Sequence, residues 1–292
     1  MRALLVVLLI PFLYSCASSG ENANAKDFYA GEKLAELRNE KIQEASGLAS
    51  SITHRGYLWT HNDSGNPPEI FLVDETLAVR LTCVLSGVEN RDWEDISVGP
   101  GPEPGKNYIY VADIGDNMAQ YRYKHIFRFE EPLLKEGITE TIITDFDSIS
   151  FRLPDGIKDT EALMIDPTTK DLFVVSKREE PVVVYRVPYP YATTDSLVAE
   201  TVTTLPLTQI VAGDISADGR EVIMKNYQNI YYWEVGEGQS VSDALKGKPK
   251  VLPYEEEPQG EALAFARDGS GYFTISEKKK DEKSYLYFYK RK

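Results

Sequence analysis

The sequence predicts an all-β fold, a propeller of five blades, from three observations: a segment repeated five times, strand-like alternation with almost no helical period, and a leftover strand at the front. The repeated segments are ASGLAS (45–50), WEDISV (93–98), TEALMI (160–165), AGDISA (212–217) and GEALAF (260–265). Each sets a small or acidic pair ahead of an aliphatic residue: Leu48, Ile96, Leu163, Ile215 and Leu263, which lie 48, 67, 52 and 48 residues apart. Spacing of ~40–50 residues with about four strands per unit is the period of a propeller blade. A sixth blade would need a unit that the sequence does not contain.

The remaining strands follow in order. After each repeat and a turn comes a second strand: YLWTHND, NYIYVADIGDN, DLFVVSKR, EVIMKNY and GYFTISEK. A third follows: EIFLVD, HIFRFEE, VVVYRV, NIYYWEV and YLYFYKR. The first four units carry a fourth: AVRLTCVL, DSISFRL, LVAETVTTL and KVLPYEE. The fifth unit ends at Lys292 after its third strand, so LAELRNEK (34–41) is expected to complete it and leave no open edge. GEKLAELRNEKIQE is the best helical candidate and reads equally as a strand. The longest interval carries the insertions GPGPEPGK and MAQYRYK.

The N-terminus bears on compartment. Met1-Arg2 is a short basic start, and ALLVVLLIPFL is an apolar run of signal-peptide length. It ends at Leu13-Tyr14-Ser15-Cys16, which resembles a bacterial lipobox, although Tyr14 is bulkier than the usual occupant. The alternative is a secretory peptide cleaved near Ala17. The expected organisation is a lipoprotein signal with lipidated Cys16 (1–16), a polar tether (17–33) and the propeller (34–292). The protein would then sit at the cell envelope, bound to the membrane through lipid. Cys83 is the one thiol left, so no internal disulfide is expected. The formal charge of −14 becomes −15 once Arg2 is lost with the signal. Such a chain repels nucleic acid and attracts cations.

The first strand of a propeller blade lines the central channel, and here the aligned positions collect acids. Two residues before the aliphatic stand Ser46, Glu94, Glu161, Gly213 and Glu261; the next column is Gly47, Asp95, Ala162, Asp214 and Ala262. Two residues before the first column stand Glu44, Asp92, Asp159, Val211 and Gln259. Carboxylates crowded on one axis repel and raise one another's pKa unless a cation neutralises them. Oxygen donors without His or Cys suit calcium, so Glu94, Glu161, Glu261, Asp95, Asp214 and Glu44 are the candidate ligands. The plainer reading is that such acids cap turns or pair with lysines.

The ends of the second strands supply His61-Asn62-Asp63, Asp113, Lys177-Arg178, Lys225-Asn226 and Glu277. Cations beside a calcium-loaded channel would hold a small anionic ligand; alternatively Lys177 and Lys225 merely neutralise the acids. No serine lies in a nucleophile-elbow context, which argues against a serine hydrolase.

The segments SGLAS, LWTHNDSG, NRDWEDISVGPG, YVADIGDN, DTEALMIDP, AGDISADGR and QGEALAF together resemble a family of secreted bacterial β-propeller proteins. That family is mostly uncharacterised and distantly similar to propeller phytases and esterase-like proteins. The resemblance implies an extracytoplasmic propeller and favours calcium; it carries no activity over, because the phytase calcium ligands do not map onto this chain. Five blades with axial glutamates are also similar, in architecture alone, to calcium-activated nucleotidases. The expected function is a calcium-stabilised binding or scaffold module, its partner a small anion or an envelope protein. The rival is a calcium-dependent phosphoesterase with Glu94 or Glu161 as base and Lys177, Arg178 and Lys225 stabilising charge. A glycosidase is a third possibility.

Overall fold

The computed structural model describes residues 27–279 and 282–292, and it is a five-bladed β-propeller. The inner strands are Ala45–Ser50, Trp93–Pro100, Thr160–Ile165, Ala212–Ile215 and Ala262–Phe265, one at the channel edge of each sheet. Within a blade the first four strands run antiparallel, as short turns between alternating segments require. The alternation has a physical meaning in a propeller. Both faces of a blade are buried, each against a different neighbour, so Leu48 packs toward the last blade while Ala49 packs toward the second. Five hydrophobic clusters result, one in each gap between adjacent blades. Trp59 and Trp93 fill the gap between blades one and two, and full burial of such a side chain contributes roughly 1.5–3 kcal/mol.

The front of the chain closes the ring, with a shifted boundary. Glu32–Glu36 pairs antiparallel with the last strand, Tyr285–Lys290. Phe28 bridges Arg291 and Tyr29 donates to the Lys290 carbonyl (2.8 Å). Residues 27–33, expected in the tether, thus belong to the blade, whereas 38–41 lead toward the first inner strand. Phe28 is the reason: its ring is buried edge-on to Tyr272, 5.0 Å between centroids. The expected signal peptide, with Cys16, and residues 17–26 of the expected tether lie outside the described residues.

One strand, Glu140–Ile143, lay outside the repeat pattern, and the expected fourth strand LVAETVTTL divides at Ala199 into Leu197–Val198 and Glu200–Leu205, only the second of which completes blade three. Glu140–Ile143 adds in parallel to the outer edge of blade one, and Leu197–Val198 adds in parallel to blade two. Each arises from the connection after the following blade's third strand and reaches back, tying neighbours together. One short helix, Val241–Ala244, is capped by Ser240. Cys83 is buried and free, and burial pushes its thiol pKa up to about 12.

Candidate metal centre in the channel mouth

In blades one to three the inner strand carries a bulge at one place. The ladder runs from Ala45 to Gly47, from Trp93 to Asp95 and from Thr160 to Ala162, skipping Ser46, Glu94 and Glu161. A bulged residue has no cross-strand partner and is re-aimed by the local kink. Two of the acids aligned in that column, Glu94 and Glu161, are therefore bulged residues, while the third, Glu261, stands just before its inner strand, Ala262–Phe265.

Three groups of carboxylates converge there, the ligand atoms of each within 4.8 Å of one another: Glu94 with Asp159 and Glu161, Asp63 with Asp92 and Glu94, and Asp63 with Glu261 and Glu277. Glu94 and Asp63 each belong to two groups, so the three form one continuous acidic well. At that separation two like charges repel by roughly 3–4 kcal/mol for an effective dielectric near 20. Gly115, in the DIGDN turn, admits the well's wall: a Cβ there would collide with the carboxyl groups of Glu94 and Asp92.

The electrostatics follow from burial. Glu94 has its pKa raised by desolvation first, then by Glu161, Asp63 and Asp92. Glu161 is likewise raised by desolvation, against the opposing pull of Lys177. Burial, then Glu261, lifts Asp63 to about 6; burial, then Glu261 and Asp63, lifts Glu277 to about 9. Lys177 enters the well, bonded to Glu161 Oε1 and 3.8 Å from Glu261. Desolvation works against its ammonium, but Glu161 and Glu261 outweigh it and the pKa rises. One ammonium does not satisfy the well. Glu161 Oε2 and Glu277 Oε1 are buried without a hydrogen-bond partner among the described residues, which is costly for a carboxylate.

The candidates from the sequence separate into groups. Glu94, Glu161 and Glu261 reach the well. Asp95 and Asp214 do not. Asp95 accepts from Leu163 N at 2.9 Å and Gly213 N at 3.4 Å, while Asp214 accepts from Phe265 N at 2.8 Å. Inner strands of neighbouring blades do not pair with each other, so these aspartates satisfy amides that would otherwise be orphaned. Glu44 is exposed at the rim, where Asn66 donates to it at 2.6 Å. Arg178 pairs with Asp159 at 2.7 Å and also bonds Asn117. Lys225 is buried, bonded to the Gly260 carbonyl, 3.0 Å from Tyr254 OH and 3.7 Å from Glu257. Desolvation lowers its pKa to about 8 despite Glu257 and Glu261.

The alignment placed Asp92 and Asp159 in an acidic column, but only the fold joins them to Asp63 and Glu277. Glu257 carried no sequence signal, since it comes from a loop outside the repeat, and the buried Lys124–Asp116 pair (3.5 Å) joins the first residue of the Lys124–Glu130 strand to the DIGDN turn, a meeting that only the fold makes. His61 is a packing residue: its ring lies over Gly47, edge-on to Trp93, and burial holds its pKa down near 4.

No protein-family model matches the chain, and no curated protein does. Solved structures that overlap it include the hydrazine synthase of Kuenenia stuttgartiensis, 14% identical with a TM-score of 0.42, covering 82% of this chain and 79% of that one. A nidogen/laminin complex is 11% identical with a TM-score of 0.44, covering 80% and 73%. Likeness at this level carries no functional argument.

Proposed function

We propose that this chain is a lipid-anchored binding module of the cell envelope whose propeller mouth holds a divalent cation, calcium by the chemistry of its donors. The observation that carries the reading is Glu161 Oε2, a buried carboxylate oxygen inside a group of converging acids and with no hydrogen-bond partner among the described residues. Glu94, Asp159 and Glu161 would hold the ion, with Asp63 and Asp92 adjoining. All are oxygen donors, and the groups contain no His or Cys. A bound ion would neutralise the well and offer its remaining coordination to an acidic group of a small ligand or envelope protein.

The cationic residues favour binding over hydrolysis. Lys177, Arg178 and Lys225 are each engaged by protein carboxylates or carbonyls. None of the three is left over to stabilise a phosphoryl group, as a phosphoesterase needs. The carboxylate oxygens within each group, inside 4.8 Å of one another, are also closer than the ~5–9.5 Å separation of glycosidase pairs. Calcium-dependent ester hydrolysis is the second reading, favoured only by the position of Lys177 beside Glu161. Residues 27–292 carry all five blades and the closing strand, so this fragment serves for the test. Calcium binding without turnover of p-nitrophenyl phosphate or nucleoside triphosphates is the expected result. Calcium-dependent turnover abolished by Glu161→Gln and by Lys177→Met would replace it with the hydrolase.

A further inference from the structure

At the end of the channel opposite the acidic well, a cavity of about 520 Å³ opens between blades one and five. It lies beneath the turn that leaves Ala45–Ser50 and the turn that leaves Ala262–Phe265, with Ala217 of blade four at its lip. Ile52, Tyr57, Leu58, Ala266, Phe273 and Phe288 give its wall an apolar side, and serines and charged residues line the rest. Into this setting the fold puts Arg267, partly buried, with no hydrogen bond or ion pair among the described residues.

That vacancy has a cause in the neighbouring carboxylates. Asp214 and Glu131 both act on Arg267 through space, but their oxygens are already used. Asp214 accepts from Ile215 N and Phe265 N. Glu131 accepts from Ser51 Oγ, Thr53 N, Thr53 Oγ1 and Trp59 Nε1. The other acids of the cavity, Glu75 and Asp268, are exposed at the lip, where Asp268 accepts from Ser270 N and faces Arg55. A guanidinium offers five donors in a planar fork that fits a carboxylate, phosphate or sulfonate two-pronged. A cavity of several hundred Å³ that joins an apolar side to a few polar groups has the form of a small-molecule site.

We infer that this cavity binds a small organic anion, its acidic group on Arg267 and its apolar body against Tyr57, Phe273 and Phe288. The site is separate from the cation well and needs no metal. Aromatic rings on the walls favour a flat hydrophobic body, and Arg55 at the lip adds attraction for the negative charge.

The probe is naphthalene-2-carboxylate, titrated into the soluble chain by calorimetry and compared with the neutral 2-naphthamide and with acetate. One-to-one binding of naphthalene-2-carboxylate, at least tenfold tighter than either comparator, is the expected result. Arg267→Gln should weaken it at least tenfold. Ala217→Trp, which keeps the arginine and fills the cavity from its exposed lip, should also weaken it; this variant carries the test if Arg267→Gln fails to fold. Undetectable binding of naphthalene-2-carboxylate at millimolar concentration would overturn the inference. So would equal affinity for 2-naphthamide, or affinity that either variant leaves unchanged.

Discussion

Lys177 donates to one oxygen of Glu161 and leaves the other, Oε2, buried with no hydrogen-bond partner among the described residues. The built-in ammonium therefore answers part of the negative charge in the channel mouth and not the whole. Carboxylates from blades one, two, three and five share the well, and a divalent cation is the simplest complement to what Lys177 leaves.

Calcium bound only by the folded state adds stability that grows with its concentration, about 2.7 kcal/mol at a hundred times the dissociation constant. Chelation should lower the melting temperature and calcium should restore it. Glu161→Gln should shrink that response, while the same change at exposed Glu136 should leave it intact. If the well needs no cation, Glu161→Gln relieves repulsion and comes out neutral or stabilising, with no chelator effect in either protein.

The dependence on pH has a definite sign. Asp63 and Glu277 are held at about 6 and about 9, above their ordinary values of 3.8 and 4.5. A carboxyl raised on folding binds its proton more tightly in the folded state. Its stabilising effect is complete below the unfolded pKa and is lost as pH rises through the folded one. Without calcium, the melting temperature should fall between pH 5 and 7.5, a window that ends below the Lys225 titration near 8. Saturating calcium should flatten the fall, and its binding should release protons. A chelated protein that grows more stable across that window would contradict the assignment.

The seam aspartates should behave differently from the well. Asp95→Ala strands three amides, those of Ile96, Leu163 and Gly213, at a cost of about 1–3 kcal/mol for each unsatisfied group. Melting should drop by several degrees, yet the shift produced by calcium should stay as in the wild type. Loss of the calcium shift in Asp95→Ala would return this residue to the ligand set.

This contrast shows what the sequence could and could not tell. The repeat period is legible because each blade buries both faces, so the pattern around Leu48, Ile96, Leu163, Ile215 and Leu263 recurs. The split between Glu94 and Asp95 is not legible. Both are axial acids one residue apart, and only the bulge that frees Glu94 from the ladder sends one to the well and the other to a neighbouring backbone. The edge strand Glu140–Ile143 gave no signal because a short parallel addition leaves no alternation of its own. Asp63 and Glu277 follow second strands, and their meeting with Glu261 depends on ring closure between the first and last blades.

Ring closure itself can be broken. Deleting residues 27–37 removes Phe28 and the Glu32–Glu36 strand and leaves the last strand with an open edge. The truncated chain should melt several degrees or more below the chain that lacks only residues 1–26. Equal melting temperatures would mean that the front strand does not hold the ring.

Cys16 is tested by fractionation. In a bacterial host the wild-type chain should follow membranes, and Cys16→Ala should be released or remain unprocessed. The same distribution for both would remove the lipid anchor.

The most direct test of the cation well is calorimetric titration of calcium into chelator-treated residues 27–292, wild type beside Glu161→Gln. The wild type should show saturable binding with proton release at pH 7. Glu161→Gln, folded by its melting curve, should bind at least tenfold more weakly. No heat of binding in the wild type, or unchanged affinity in Glu161→Gln, would contradict the account.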